Sequence, residues 1–340
     1  MDIPMQKPTS PTSPLTDAHG RTAAYLRVSL TDRCNLRCMY CSSGRAEFIP
    51  HGDILRYEEI ERVIGVLAQR GIGKVRFTGG EPLARKGAVD FLERLAEHHP
   101  ALDLRLTTNG TLLRGVVPRL ARLGMSTINI SLDTLRPERF KDITGFGKYA
   151  DVRRAIDDCL AHGLRVKLNA VALAGVNTGE LADFVELART QPIDVRFIEF
   201  MPMGASHWTQ RLYMSSKDIL ATLRRHAQLV PATREKNHGP ARMYSITGGA
   251  GRIGVISALS NHFCSTCNRL RLTSDGALRT CLYSDNETPL RGLLRTPGVT
   301  DADLHAAIAN AVGDKPLGYR LLQHEGGTDV SAKGMAAIGG

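Results

Sequence analysis

The chain has 340 residues, 42% of them hydrophobic and 23% charged, with a formal net charge of +10. Those proportions describe a soluble globular protein of one large domain or two smaller ones. No run approaches the eighteen or so uninterrupted apolar residues of a membrane-spanning helix, so a membrane partner is not expected.

Residues 1–20 carry four prolines and no apolar core, which predicts a flexible tail rather than a secretory signal, and hence a cytoplasmic protein. From there, strand-like and helix-period segments alternate. Strands are expected at 25–30, 74–77, 102–106, 127–132, 165–172 and 194–200, with amphipathic helices at 57–70, 86–98, 112–123, 150–162 and 179–190 between them. Gly71, Gly124 and Gly163 close three of the helices. Six strands alternating with helices over residues 21–210 predict an α/β fold, a parallel sheet wound into a barrel or left open. Polar groups at the strand C-termini then gather on one face. After residue 210 the pattern changes to one helix near 216–226, short strands at 241–247, 252–258 and 269–273, and a helical stretch at 301–312. A smaller second module is expected over 211–330. The last ten residues, 331–340, read as a flexible tail ending in Gly339 and Gly340.

Six of the seven cysteines fall in two clusters, which in a reducing compartment points to metal rather than disulfides. The seventh, Cys159, lies on a predicted helix and reads as a packing residue. Cys34, Cys38 and Cys41, spaced C-x-x-x-C-x-x-C directly after the first strand, can anchor three irons of a [4Fe–4S] cube. The fourth iron is then open to a small chelating molecule, the arrangement that reductive cleavage of S-adenosylmethionine requires. Zinc is the alternative, but a structural zinc wants a fourth ligand close by, and His51 is ten residues on. Thr78-Gly79-Gly80-Glu81-Pro82 follows the second strand, its glycines permitting close backbone approach.

Together these residues, with the aromatic Tyr40 before the last cysteine, resemble the signature of the radical S-adenosylmethionine superfamily. The resemblance implies that the backbone at Gly80 contacts the methionyl amine. It also implies that Tyr40, Ser131 in NISLD and Met201 in FIEFMP line the S-adenosylmethionine site.

Cys264, Cys267 and Cys281 form the second cluster, the 269–273 run, an Asp275-Gly276 turn and the 277–282 run reading as a hairpin that returns Cys281 to the pair. On spacing alone zinc, completed by His262, and iron–sulfur weigh about equally. The wording CNRLRLTSDGALRTCL, the first cluster and the terminal glycines resemble the GTP 3′,8-cyclase family of molybdenum-cofactor biosynthesis, from about residue 21 onward. That resemblance implies an incomplete (β/α)6 barrel, TIM-like, closed by a smaller C-terminal module with a second [4Fe–4S] cluster. GTP would bind between the clusters, its guanine at the open iron of the second, with the terminal glycines threaded toward the site. By motif, the GTP contacts are Arg27, Arg76, Thr107, Lys167, Arg269 and Arg271. Arginine's planar fork suits phosphate, and a cation pointing into a barrel is costly without an anion to meet it. Lys74 and Arg196 are expected instead to form surface salt bridges. An electron donor and a downstream cyclic pyranopterin monophosphate synthase are the implied partners, with monomer and homodimer both open.

Rival readings are a radical enzyme acting on a peptide, and a zinc module binding nucleic acid through its arginines. The latter finds little support in 5% aromatic residues and gives TGGEP no role. Gly249, Gly251 and Gly254 spell G-x-G-x-x-G, but a strand-like run follows where a dinucleotide turn needs a helix, so a hairpin loop is expected.

Overall fold

The computed structural model describes residues 13–41, 48–204, 208–233, 239–318, 331 and 333–339. Six parallel strands lie side by side in chain order: β1 (Tyr25–Ser29), β2 (Lys74–Thr78), β3 (Asp103–Thr108), β4 (Thr127–Ser131), β5 (Arg165–Ala172) and β6 (Ile193–Glu199). Helices α1 (Tyr57–Gln69), α2 (Ala88–His98), α3 (Val117–Arg122), α4 (Pro137–Thr144), α5 (Tyr149–Ala161) and α6 (Leu181–Thr190) join them. Each predicted strand is present to within two residues. Helix α2 starts late because Gly87 takes φ 76°, and α3 is short because Gly115 takes φ 73° ahead of Pro118. Helix α4 was not expected, although Pro137 in its first turn and Gly145 at φ 76° beyond its end bracket it.

The C-terminal segment builds no separate sheet. It supplies α7 (Ser216–Arg224), β7 (Leu229–Pro231), β8 (Arg242–Ile246), β9 (Arg252–Ile256), β10 (Arg269–Leu272), β11 (Ala277–Arg279), β12 (Thr288–Pro289), α8 (Leu290–Arg295) and α9 (Asp301–Gly313). Strand β9 adds parallel to β6 and β10 adds parallel to β1, giving one twelve-stranded sheet in the order β12-β11-β10-β1-β2-β3-β4-β5-β6-β9-β8-β7. The segment thus extends both edges of the six-strand barrel, and the expected second module is continuous with the first. Gly249 and Gly251 sit in the β8–β9 hairpin loop, as expected.

The described parts of both tails, residues 13–20, 331 and 333–339, pack against the domain, whereas the sequence suggests flexible ends. In residues 13–20, Leu15 is buried and the Asp17 carboxylate pairs with the Arg21 guanidinium at 2.6 Å, so that stretch is packed against the domain. At the other end, Met335–Ile338 is a helical turn with Ile338 fully buried. Each is held by one apolar anchor too isolated to show as periodicity.

Alternation along the strands divides the sheet into two unlike faces. Leu26, Val28, Val75, Phe77, Leu106, Ile128, Ile130, Val166, Leu168, Val195 and Phe197 pack outward against the helices in one continuous core. A common (β/α)8 barrel is filled inside by branched apolar side chains. Here the other face is polar: register aligns Arg271, Arg27, Arg76 and Arg105 in one row across β10, β1, β2 and β3. Asn129, Lys167, Asp194 and Arg252 form another across β4, β5, β6 and β9.

Candidate active site

Cys34, Cys38 and Cys41 lie on the loop that leaves the C-terminal end of β1, all three partly buried. Leu36 NH donates to the Cys34 sulfur at 3.4 Å, and the Asn109 side-chain amide lies 3.7 Å from it. The loop is clamped by the turn after β2. Gly80 NH donates to Thr31 O at 2.7 Å and Glu81 NH to Arg33 O at 2.8 Å. A Cβ on Gly79 would lie 2.3 Å from Thr31 O, and one on Gly80 2.3 Å from Arg33 O. The paired glycines are therefore needed first for contact between this turn and the cysteine loop.

Below them, Glu81 is fully buried and accepts from Leu83 NH at 3.0 Å, the Thr108 hydroxyl at 2.8 Å and Asn109 NH at 2.7 Å. Burial raises its carboxyl to about 7 in spite of those donors. Tyr40 donates its hydroxyl to Asp133 at 2.7 Å, and Asp133 also accepts from Val171 NH at 2.8 Å. Burial lifts that carboxyl to about 6. Ser131, two residues earlier, closes β4, while Met201 follows β6 with its sulfur 3.7 Å from the Tyr283 hydroxyl. Tyr40, Gly80, Ser131 and Met201 thus all stand at strand C-termini on one rim.

The interior carries the predicted cations. Arg76, buried on β2, donates Nε to the Tyr25 hydroxyl at 2.5 Å and Nη1 to the Thr107 hydroxyl at 3.2 Å. Arg27 Nε reaches Gly339 O at 2.9 Å, and Arg271 Nη1 reaches the same oxygen at 2.6 Å. Arg269 stacks over the Phe263 ring at 4.5 Å. Lys167 lines a cavity of about 310 Å³ with Asp194, Arg196, Arg242 and Arg252.

Arg196 corrects the sequence reading. It is 9% exposed on the inward face of β6, and its Nε and Nη2 find no acceptor among the described residues. Gly254, whose Cβ would lie 3.0 Å from Arg196 Cγ, leaves it room. Its signal was available: Arg196 sits an even number of residues from Asp194, on the polar side of an otherwise apolar strand. Lys74 is ion-paired as expected, 3.9 Å from Asp103, but faces the interior over the Tyr25 ring.

So many buried cations strain one another. Burial, reinforced by the charge of Arg76, brings Arg196 down to about 9 against the pull of Asp194. Burial lowers Arg27 to about 10, and Arg271 falls well below the usual arginine range through burial and the charges of Arg27 and Arg269. Asn129 and Asn169 add buried side-chain oxygens with no partner among the described residues. The orphaned Arg196 donors on the cavity wall fit an anion, whereas the two amide oxygens call for a donor.

The second triad lies at the edge where β10 meets β1. Cys264 and Cys267 flank a 3-10 turn, and the β10–β11 hairpin returns Cys281 to them. A Cβ on Gly318 would lie 2.7 Å from the Cys281 sulfur and 3.8 Å from that of Cys264. Buried Lys315 donates to Arg269 O at 2.7 Å and to Thr280 O, and buried Arg21 donates to Cys264 O at 2.8 Å. Burial would raise the Cys267 thiol, but Arg269 and Lys315 outweigh it and bring it to about 6. Thiolate character beside fixed cations suits an anionic cluster. Among the described residues no three Cys, His or carboxylate groups are placed to ligate one metal ion. A cubane asks for no such convergence, since each of its thiolates binds a different iron.

Two family models cover most of the chain. The family model described as Radical SAM superfamily matches residues 28–188, and that described as Molybdenum Cofactor Synthesis C matches residues 193–321. Streptococcus suis SuiB bound to S-adenosylmethionine shares the fold at a TM-score of 0.62 and 15% identity, over 88% of this chain and 68% of that one. A GTP 3′,8-cyclase of Heliobacterium modesticaldum is 45% identical over 96% of this chain and 100% of its own length. One from Alkaliphilus metalliredigens is 40% identical over the same shares. Identity at that level over nearly the whole of both chains decides between a nucleotide and a peptide as the family's substrate: the chain belongs to the GTP 3′,8-cyclases, radical S-adenosylmethionine enzymes of molybdenum-cofactor biosynthesis.

Proposed function

We propose that the residues of this chain divide the cyclase reaction between a rim that holds S-adenosylmethionine and an interior that holds GTP. Two [4Fe–4S] clusters and S-adenosylmethionine would supply the chemistry: one electron releases a 5′-deoxyadenosyl radical that removes the ribose 3′ hydrogen of GTP, C3′ joins guanine C8, and a second electron from the donor with a proton from solvent gives (8S)-3′,8-cyclo-7,8-dihydroguanosine 5′-triphosphate.

Cys34, Cys38 and Cys41 would hold the first cluster, and Cys264, Cys267 and Cys281 the second. The Gly80 backbone, Tyr40, Ser131 and Met201 would seat S-adenosylmethionine between the first triad and the barrel, Asp133 fixing Tyr40. Arg27, Arg76, Thr107, Lys167, Arg269 and Arg271 would bind and orient GTP, with Arg196 added from its place in the barrel. The inward arginine row is the observation that carries this division, because it sets Arg271, Arg27, Arg76 and Arg105 side by side on the polar face of the sheet, where a polyanion can meet several of them at once. Gly339 O, shared by Arg27 and Arg271, would set the angle of both guanidiniums.

The reaction forms a ring without hydrolysis or net oxidation, which makes the enzyme a lyase. An electron donor would feed the first cluster, and cyclic pyranopterin monophosphate synthase would consume the product. A cytoplasmic monomer or homodimer suits that role. Among the described residues no helix is long and apolar enough to cross a membrane.

Anaerobic reconstitution tests the division. About eight irons per chain, with 5′-deoxyadenosine formed only when GTP and S-adenosylmethionine are both present, is the expected result. Two clusters with cleavage indifferent to GTP would overturn the placement of GTP in the barrel.

A further inference from the structure

Tyr25 stands at the start of β1, 8% exposed and pointing into the barrel among cations. Its register partners are Arg269 on β10 and Lys74 on β2. Arg76 Nε donates to its oxygen at 2.5 Å, Arg27 two residues on along the same strand lends it positive charge, and the Lys74 ammonium lies 5.6 Å from its ring centre. Arg271 and Arg196 contribute charge from β10 and β6. The carboxylates on this face are engaged elsewhere. Asp103 on β3 pairs with Arg105 at 2.5 Å and Lys74 at 3.9 Å, and Asp194 on β6 with Arg165 and Arg252, each at 3.0 Å. The Tyr25 oxygen is therefore the side-chain acceptor that meets Arg76, with the charge of Arg27 beside it.

We propose that Tyr25 is a stand-in anion for the triphosphate: in the nucleotide-free enzyme its phenolate accepts from the Arg76 guanidinium and offsets the charge of Arg27, and when GTP's phosphates take both arginines over the phenolate accepts one proton from solvent and remains as a neutral partner. This rests on the reading that those two arginines hold the triphosphate. Burial alone would raise the phenol, but the charges of Arg76, Arg27 and Arg269 outweigh it and bring it to about 7. A polyanion nearby cancels those charges, so the phenol regains its proton. GTP binding then takes up a proton above about pH 7 and not below, and affinity falls with rising pH there by up to about tenfold per unit.

Isothermal titration of GTP into the reconstituted enzyme at pH 8, in two buffers of different ionisation enthalpy, counts the proton. The wild type should take up close to one more proton per GTP than Tyr25→Phe, the difference vanishing at pH 6. Protonation of GTP itself cancels in that subtraction. Equal counts at pH 8 would overturn the proposal. Should Tyr25→Phe bind too weakly to titrate, 3-fluorotyrosine at position 25 takes its place. Its more acidic phenol should move the onset of proton uptake to lower pH, and an unmoved onset would overturn the proposal equally. Arg76→Ala separates the two layers. Unchanged GTP affinity there would sink the placement of the triphosphate, whereas lost affinity with equal proton counts would sink the role of Tyr25 alone.

Discussion

The two cysteine triads sit in opposite electrostatic surroundings. Around the first, burial raises all three thiols; Glu81 adds to the rise at Cys34, and Asp133 with the neighbouring thiols adds to it at Cys38 and Cys41, the last reaching about 11. Around the second, Arg269 and Lys315 overcome burial and bring Cys267 to about 6. Two sets of three thiols thus serve two different guests. A sulfonium cation is welcome beside buried carboxylates, and a triphosphate beside buried guanidiniums. The fold separates these demands by placing the first triad on the loop after β1 and the second beside β10, the strand that pairs with β1.

Removing a thiol from each triad should break the comparison most completely. Cys38→Ala and Cys267→Ala should each lose about four of about eight irons. The first variant should release no 5′-deoxyadenosine at all. The second should keep some cleavage of S-adenosylmethionine but form no cyclised nucleotide. Iron and sulfide analysis with product chromatography reads both, and full iron retention in either variant would remove that triad from the scheme.

A crossed pair of substitutions sharpens the electrostatic contrast. Arg271→Ala should weaken GTP binding by about ten- to a hundredfold, the worth of one buried charge-assisted hydrogen bond, and leave S-adenosylmethionine binding alone. Asp133→Asn should do the reverse and by less, about tenfold, because its partner Tyr40 stays in place through packing. Equilibrium binding of each ligand to each variant decides the matter. Equal losses for both ligands in one variant would mean that the two sites are not electrostatically separate.

Much of this was legible in the sequence. The six parallel strands followed from β-branched runs spaced by amphipathic helices, and the cysteine triads from spacing. The continuity of the sheet was not, since β9 and β10 are short and reveal nothing of which edge they join. Arg196 was misplaced because one basic residue in a strand reads the same whether it meets solvent or a ligand; only the register row shows it facing Gly254 inside the barrel. Tyr25 carried no signal apart from the lysine and arginines that other strands bring to it. Ile338 and Gly339 looked frayed because two buried residues at a chain end have no period.

Gly339 offers a smaller test, at the one place where the chain end touches the arginine row. Its φ is 74°, and a Cβ would lie 2.9 Å from the Thr78 methyl. Gly339→Ala should displace the carbonyl that Arg27 and Arg271 share, at a cost of about 1 kcal/mol or more in local placement. Turnover should fall while both clusters assemble fully, as it should when Gly339 and Gly340 are deleted. Full activity in the truncated chain would show that the arginines need no such partner.

The smallest effect is expected where neither triad is involved. Glu59 on α1 accepts from Arg295 Nε at 2.7 Å and from Arg56 NH at 2.6 Å, tying the barrel to α8. Burial works against its charge, yet those hydrogen bonds hold the carboxyl at about 2, below its ordinary value of 4.5. The folded value lies below the unfolded one, so the contribution is whole above about pH 4.5 and is lost as pH falls toward 2. Glu59→Gln should therefore lower the midpoint of thermal unfolding by a few degrees at pH 7, about 1–3 kcal/mol, with the gap to wild type narrowing below pH 4.5. Affinities for GTP and S-adenosylmethionine should not change. A loss of stability that leaves both ligands bound would show that the crossed effects at Arg271 and Asp133 report on charge at each site and not on a weakened fold, whereas a loss of either ligand would tie this ion pair to the site it unsettles.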